Sequence, residues 1–303
     1  MSFLRETRDL FTYNTRYIGR LAKHDHFNVF QKTLRDLKLA GFRRLREKNV
    51  LDLGCGQRYS FGLQCAAEGG NVTALDIDYV KPDMLALYFI RCFKYNNFKR
   101  AVKSTFRRIL FDRRYYKALE LYAGKPVYSF SPRIKFVTAD QKKSNYPLPS
   151  GTFDLIVSNA VLEHVSDVSG FASEVRRLLR QGGYFYGYIH NFYSISGGHN
   201  LEWAFPDENP SEKVPPWDHL RGNKYPAHVY LNQYRPEQFQ QAFAKHLRIR
   251  LFEERDINHD SNGKEGVRFL TGQVARELTE YPRRLLLTRA YCLICQKTPS
   301  KSL

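Results

Sequence analysis

The stretch NVLDLGCGQR, Asn49 to Arg58, decides how the rest of the chain is read. Val50, Leu51 and Leu53 make a short apolar run that ends at Gly54 and Gly56. A run of that length bounded by glycines reads as a buried strand leading into a tight turn. Glycine there permits backbone conformations that other residues resist, and it lets a ligand approach the main chain closely. GLQCAAEGG follows as a helix with a glycine stop. NVTALDID then reads as a second strand, with Asp76 placed 22 residues after Gly54. An acid at that point can accept hydrogen bonds from both hydroxyls of a ribose. A dinucleotide fingerprint would require glycine at position 59, where the chain has Tyr59, so the pyrophosphate pattern is incomplete. Asp52, just before the glycines, suits a ligand carrying an ammonium group rather than a diphosphate.

The alternation continues outward. Residues 134–140, 153–160 and 183–190 read as three more strands, and SGFASEVRRLLRQGG (169–183) as a helix closing on glycines. Strands alternating with helices predict an α/β fold with a parallel sheet covered on both faces. LRIRLFEERD and RAYCLICQK complete the sheet, the latter antiparallel, with the helical GVRFLTGQVARELTEYPRRLLL between them. Residues 27–46 space their apolar groups as a helix, which belongs to an N-terminal helical cap over residues 1–48. The sheet domain spans 49–303. Two segments interrupt it: a basic helical insertion at about residues 96–130, and an aperiodic segment at about 191–233 that reads as a lid.

Composition narrows the class. The chain has 303 residues, of which 43% are apolar, enough for a core. The longest apolar runs, MLALYFI and FDLIVSNAVL, fall short of the ~18 residues that span a bilayer. The N-terminus carries charges where a signal peptide needs apolar residues, so a cytoplasmic location is expected. Five cysteines do not make a disulfide framework, and Cys292 with Cys295 reads as packing within a strand. Net charge is +18 and localised: residues 1–48 hold 12 basic against 5 acidic groups, residues 81–135 hold 14 against 3. Such surfaces favour anionic partners, whether phosphorylated substrates, nucleic acid or lipid head groups.

Five motifs in order, VLDLGCG, VTALDID, FVTADQ, YPLPSGTFDLIVSNAVLEHVSD and EVRRLLRQGGYF, resemble the class I S-adenosylmethionine-dependent methyltransferases, in particular the small-molecule branch that includes the ubiquinone-biosynthesis enzymes. The resemblance covers about Asn49 to Ile189 without the insertion. It implies a Rossmann-like, seven-stranded, doubly wound sheet whose last strand is antiparallel, with S-adenosyl-L-methionine as cofactor. Asp52, Gly54, Cys55 and Gly56 would hold the methionine end, Asp76 the ribose, and Ile77 the adenine face. Asp140 and Gln141 would flank the adenine edge, and Asn159 would lie beside the sulfonium. Arg58 stands where the family often has its third glycine, and Gln181 where a proline often precedes the double glycine; both put the local turn geometry in doubt.

The reaction expected is methylation of a hydroxyl, or an amine, on a polar small molecule that is anionic or sugar-like, such as a saccharide unit. His164, in LEHV, and His219 are the candidate general bases. Glu163 and His164 could both meet a metal, but two ligands do not make a site, so no metal is expected. Within the lid, His199, Trp217, Asp218 and Arg221 are the candidate substrate contacts, the indole for stacking and the guanidinium for a carboxylate or phosphate. Two other readings stand beside this one: an RNA methyltransferase gripping its substrate with the basic insertion, and a non-catalytic basic scaffold. The insertion is also compatible with a dimer interface or a peripheral membrane contact, and the oligomeric state is open.

Overall fold

The computed structural model describes residues 3–140, 145–257 and 262–298. Its strands are β1 (Asn49–Leu53), β2 (Asn71–Asp76), β3 (Lys135–Thr138), β4 (Phe153–Asn159), β5 (Leu179–His190), β6 (Arg248–Arg255) and β7 (Ala290–Gln296). They form one sheet in the order β3-β2-β1-β4-β5-β7-β6. β1 is parallel to β2 and to β4, and β2 to β3, whereas β7 is antiparallel to both β5 and β6. This is the expected α/β, Rossmann-like architecture with a reversed last strand. Val50, Leu51, Leu53, Leu155, Ile156 and Val157 are all fully buried, as strands covered on both faces require. The chain builds outward from β1 to β3 before restarting at β4, and ligands in such sheets collect at the carboxyl ends beside the reversal. Asp52 to Gly56 occupy that end of β1.

The chain divides into two compact units, Met1–Gln141 with Thr152–Val157, and Lys142–Gly151 with Ser158–Leu303. The first holds α1 (Phe3–His24), a π-helical turn (Asp25–Gln31), α2 (Lys32–Leu39), α3 (Ser60–Ala67), α4 (Leu85–Tyr95), α5 (Phe98–Arg107) and α6 (Arg113–Ala123). The helix expected over 27–46 stops at Leu39. Gly41 takes φ 106°, and Phe42 N–H returns to the Leu37 carbonyl, closing the last turn. The helical insertion, expected at about residues 96–130, starts at Leu85 and consists of α4, α5 and α6. Leu85 to Ile90 of MLALYFI thus begin α4, with Tyr88 buried and Leu85, Leu87 and Ile90 exposed.

The second unit holds α7 (Val168–Leu178), α8 (Pro236–Ala244), α9 (Gly272–Glu277) and α10 (Arg283–Leu287). α7 ends without the glycines, because buried Leu179 already begins β5. Gly182, at φ 75°, instead pairs with the Lys297 carbonyl beyond β7. The helical stretch between β6 and β7 is broken into pieces, Gly272 and Pro282 marking the breaks. Cys292 and Cys295 are fully buried within β7 and form no disulfide. No helix among the described residues is long and apolar enough to cross a membrane.

Candidate active site

The turn after β1 is built around two buried carboxylates. Asp52 Oδ2 accepts the Gly62 N–H at 3.0 Å, fastening the strand end to the first turn of α3. Burial pushes the Asp52 carboxyl up to about 7, against the lowering effect of that amide. Asp76 accepts the Gly56 N–H at 2.8 Å and the Asp78 N–H at 2.9 Å. Burial raises it too, and the two amides work against the rise. Gly54 and Gly56 take φ 78° and 66°. Nothing lies within 4 Å of where a Gly56 Cβ would stand, and Ile77 is 43% exposed beside Asp76. An open backbone cradle, buried carboxylates and a bare apolar face fit an adenosyl group with a charged amino-acid tail. A cationic group arriving at Asp52 would favour its ionised form. Cys55 lies in the same turn, its thiol pushed far up by burial and by Asp76. Asp140 is half-buried after β3, and Gln141 lies outside the described residues.

Arg58, the departure from glycine, has a structural explanation. Its Nε donates to Asp112 at 3.0 Å, Nη2 donates to Asn14 at 2.5 Å, and the guanidinium lies 4.5 Å over the Tyr115 ring. It thereby ties the turn to α1 and α6. Tyr59 next takes the left-handed conformation (φ 35°) that a glycine would adopt without strain. Gln57 is held by Asp78 and by buried Arg107, which also pairs with Asp112 at 3.1 Å. A cavity of about 320 Å³ lies against this turn, walled by Gln57, Tyr59, Tyr88, Arg108, Arg113 and Tyr116.

The second unit gathers the histidines. Asn159 ends β4 with its Oδ1 buried and lacking a hydrogen-bond partner, and Ala160 follows at φ 53°. His164 Nδ1 lies 2.9 Å from the Tyr230 carbonyl. A carbonyl only accepts, so Nδ1 carries a hydrogen, and in the neutral ring Nε2 carries the lone pair. The His199 ring stands 5.0 Å away, edge to face.

Behind His199 runs a directed chain. Arg289 donates to Glu265 Oε2 at 2.5 Å, and Ser196 Oγ donates to Glu265 Oε1 at 2.5 Å. With its hydrogen committed, Ser196 accepts from His190 Nε2 at 2.9 Å. His190 Nδ1 then accepts from His199 Nε2 at 2.9 Å, which leaves the His199 lone pair on Nδ1. Burial, with neighbouring Arg289 and His164, pushes His199 down to about 4 and holds His190 well below the ordinary histidine value, so both stay neutral near pH 7.

Glu163 completes the cluster. Neither of its buried oxygens meets a hydrogen-bond donor, and burial pushes the carboxyl up to about 8 despite the nearby amides of Glu163 and His190. Where the sequence offers two potential metal donors, the fold adds a third: Glu163, His164 and His199 bring donor atoms within 4.8 Å of one another. Asn232 clamps this turn. Its side chain donates to the carbonyls of Leu162 and Val165, each at 2.7 Å, and its own N–H to the Glu163 carbonyl.

The lid residues divide. Trp217 is 0% exposed and Trp203 is buried; they pack with Ile195, Val214, Leu270 and Leu286. The Trp217 indole donates to the Tyr193 carbonyl at 3.1 Å. Asp218 accepts the Tyr225 N–H at 2.8 Å, and Arg221 pairs with Glu277 at 2.5 Å and reaches the Pro216 carbonyl. These three side chains brace the loop. His219 donates from Nε2 to the Phe192 carbonyl at 2.7 Å, and its Nδ1 faces Gly198 closely enough that a Cβ there would clash. Burial pushes it down to about 4. Of the lid candidates only His199 joins the cluster with His164. Sequence reasoning missed His190, Ser196, Asn232, Glu265 and Arg289. The spacing of His190, Ser196 and His199 just after a strand carried a signal, whereas Glu265 and Arg289 are too distant in the chain to carry one.

The methyltransferase-domain family matches residues 23–246, and the chain belongs to that family. The protein is a methyltransferase with S-adenosyl-L-methionine as its cofactor. No protein of curated function matches it in sequence. Solved structures resemble it distantly. One is the Haloferax volcanii complex between the Trm112 methyltransferase activator and a methyltransferase (14% identity, 96% of this chain and 97% of that one, TM-score 0.48). Another is an S-adenosylmethionine-dependent methyltransferase from Mesorhizobium loti (17% identity, 88% and 96%, TM-score 0.47). A third is the geranyl diphosphate C-methyltransferase of Streptomyces coelicolor (11% identity, 88% and 77%, TM-score 0.46).

Proposed function

We propose that the enzyme methylates a hydroxyl of a small anionic molecule, with His164 as general base. The observation that carries this reading is the tautomer of His164, whose Nδ1 is committed to the Tyr230 carbonyl while Nε2 keeps its lone pair. A hydroxyl must lose its proton as it is methylated, and a neutral imidazole oriented by its other nitrogen is suited to take it. When bound, the cofactor supplies an electrophilic methyl group. Asp52, Gly54, Cys55, Gly56, Asp76, Ile77, Asp140 and Asn159 would hold it in the roles its family implies.

The protein's remaining work is positioning. Asn232 fixes the turn that carries His164, and the Glu265–Ser196–His190 chain fixes the ring of His199. His199 would serve as the neighbouring polar contact for the acceptor, and its depressed pKa avoids a second positive charge when His164 takes the proton. The preference for an anion rests on the net charge of +18, which favours acidic partners. A sugar is no longer favoured over other polar acceptors, because both indoles are buried and present no stacking face.

The test is radiolabelled methyl transfer to matched panels of anionic and neutral alcohols and amines. Anionic alcohols should be the accepted class. His164→Asn should lower kcat by about 10²- to 10⁴-fold with cofactor affinity unchanged. Turnover untouched by that substitution would remove His164 from the chemistry.

A further inference from the structure

The insertion presents an apolar face that the described residues leave exposed. Of the large apolar side chains exposed among the described residues, half lie between Met84 and Leu110. They are ordered rather than scattered. On α4, Leu87, Ile90 and Phe93 follow helical spacing opposite the buried pair Tyr88 and Cys92. From α5 into the turn after it, Phe98, Phe106 and Ile109 follow the same spacing opposite buried Ala101, Ser104 and Arg107. The Phe93 and Phe98 rings stand 6.3 Å apart edge to face, which joins the two stripes. Ile90, Phe93, Phe98 and Ile109 are 58%, 54%, 61% and 56% exposed. A helix apolar on both faces is ordinarily covered on both. A contiguous exposed patch of this kind marks an interaction surface.

We infer that the α4–α5 hairpin docks on the surface of an anionic lipid bilayer. Charge selects this occupant. Residues 81–135 carry 14 basic and 3 acidic groups, and Lys94, Lys99 and Lys103 lie on the same two helices as the apolar stripes. Apolar side chains rimmed by cations suit the boundary between acyl chains and acidic head groups. A second copy of this chain would bring the same cations against one another. Nucleic acid would leave the aliphatic Leu87, Ile90 and Ile109 without a base to stack on. No helix among the described residues is long and apolar enough to cross a bilayer, and the contact inferred is a peripheral one. The inference is independent of the acceptor proposed above.

The experiment is flotation of the full chain with vesicles of pure phosphatidylcholine or with about 30% phosphatidylglycerol. Binding should require the anionic lipid and weaken as salt is raised. Ile90→Glu combined with Phe93→Glu should reduce it at least about tenfold, and Lys94→Gln with Lys99→Gln should reduce it comparably, with melting temperatures unchanged. A separate Phe98→Trp reporter should shift its emission to the blue only on anionic vesicles. The inference is overturned by absence of binding, by equal binding to neutral vesicles, or by binding that the substitutions leave unchanged. It is equally overturned if light scattering shows a dimer that the Ile90 and Phe93 changes dissolve, or if those changes abolish tight RNA binding instead.

Discussion

Glu163 shows how a side chain can be placed by sequence and understood only from structure. LEHV put it beside His164, but nothing in four letters reveals that both carboxylate oxygens are buried without a donor. The consequence concerns stability. A folded-state pKa of about 8, above the ordinary 4.5, favours the fold at low pH and is a liability once pH rises through 8. Glu163→Gln should therefore match the wild type in denaturant titrations at pH 5 and exceed it at pH 9, by up to a few kcal/mol. A constant difference across that range would show that the carboxyl is ionised throughout. Asp52, Gly54, Gly56 and Asp76 were legible because their roles are local, a turn and two strand ends. The relay behind His199 was not, because Glu265 and Arg289 reach it from distant parts of the chain.

Among the elements, the segment after β5 departs most from its reading. Its aromatic content rightly argued for order, but order here means a core of its own. Hydrophobic burial claims both indoles, and their N–H groups satisfy backbone carbonyls at Tyr193 and Val214. Trp217→Ala should cost about 3–5 kcal/mol, read from chemical denaturation. Arg221→Ala, which breaks a partly exposed ion pair with Glu277, should cost under about 1 kcal/mol and leave turnover near wild type. A large kinetic loss from Arg221→Ala at unchanged stability would return it to the substrate site. The insertion was legible as basic and helical. That its apolar stripe faces outward was not, since periodicity locates a face without saying what covers it.

At the scale of the whole molecule, buried ionisable groups set opposing pH limits. His199 and His219, held at about 4, and His190, also held well below its ordinary value, bind fewer protons folded than unfolded. Their contribution is present above the ordinary histidine range near 6.5 and is lost as pH falls through 4. Asp52 at about 7 and Glu163 at about 8 act oppositely, losing their contribution as pH rises. Without cofactor, melting temperature should peak at about pH 5–6.5 and fall on both sides. A steady rise to pH 8 would contradict this balance. The alternation of strands and helices was legible because each strand carried its own apolar run and boundary, whereas the strand order emerged only in the fold. The central claim remains that the turn after β1 and the acid ending β2 bind an adenosyl amino acid. Its most direct test is calorimetric titration of S-adenosylhomocysteine into the wild type and into Asp76→Ala. The account predicts saturable one-to-one binding by the wild type, weakened at least about tenfold by the substitution; no binding by the wild type, or equal binding by both, would contradict it.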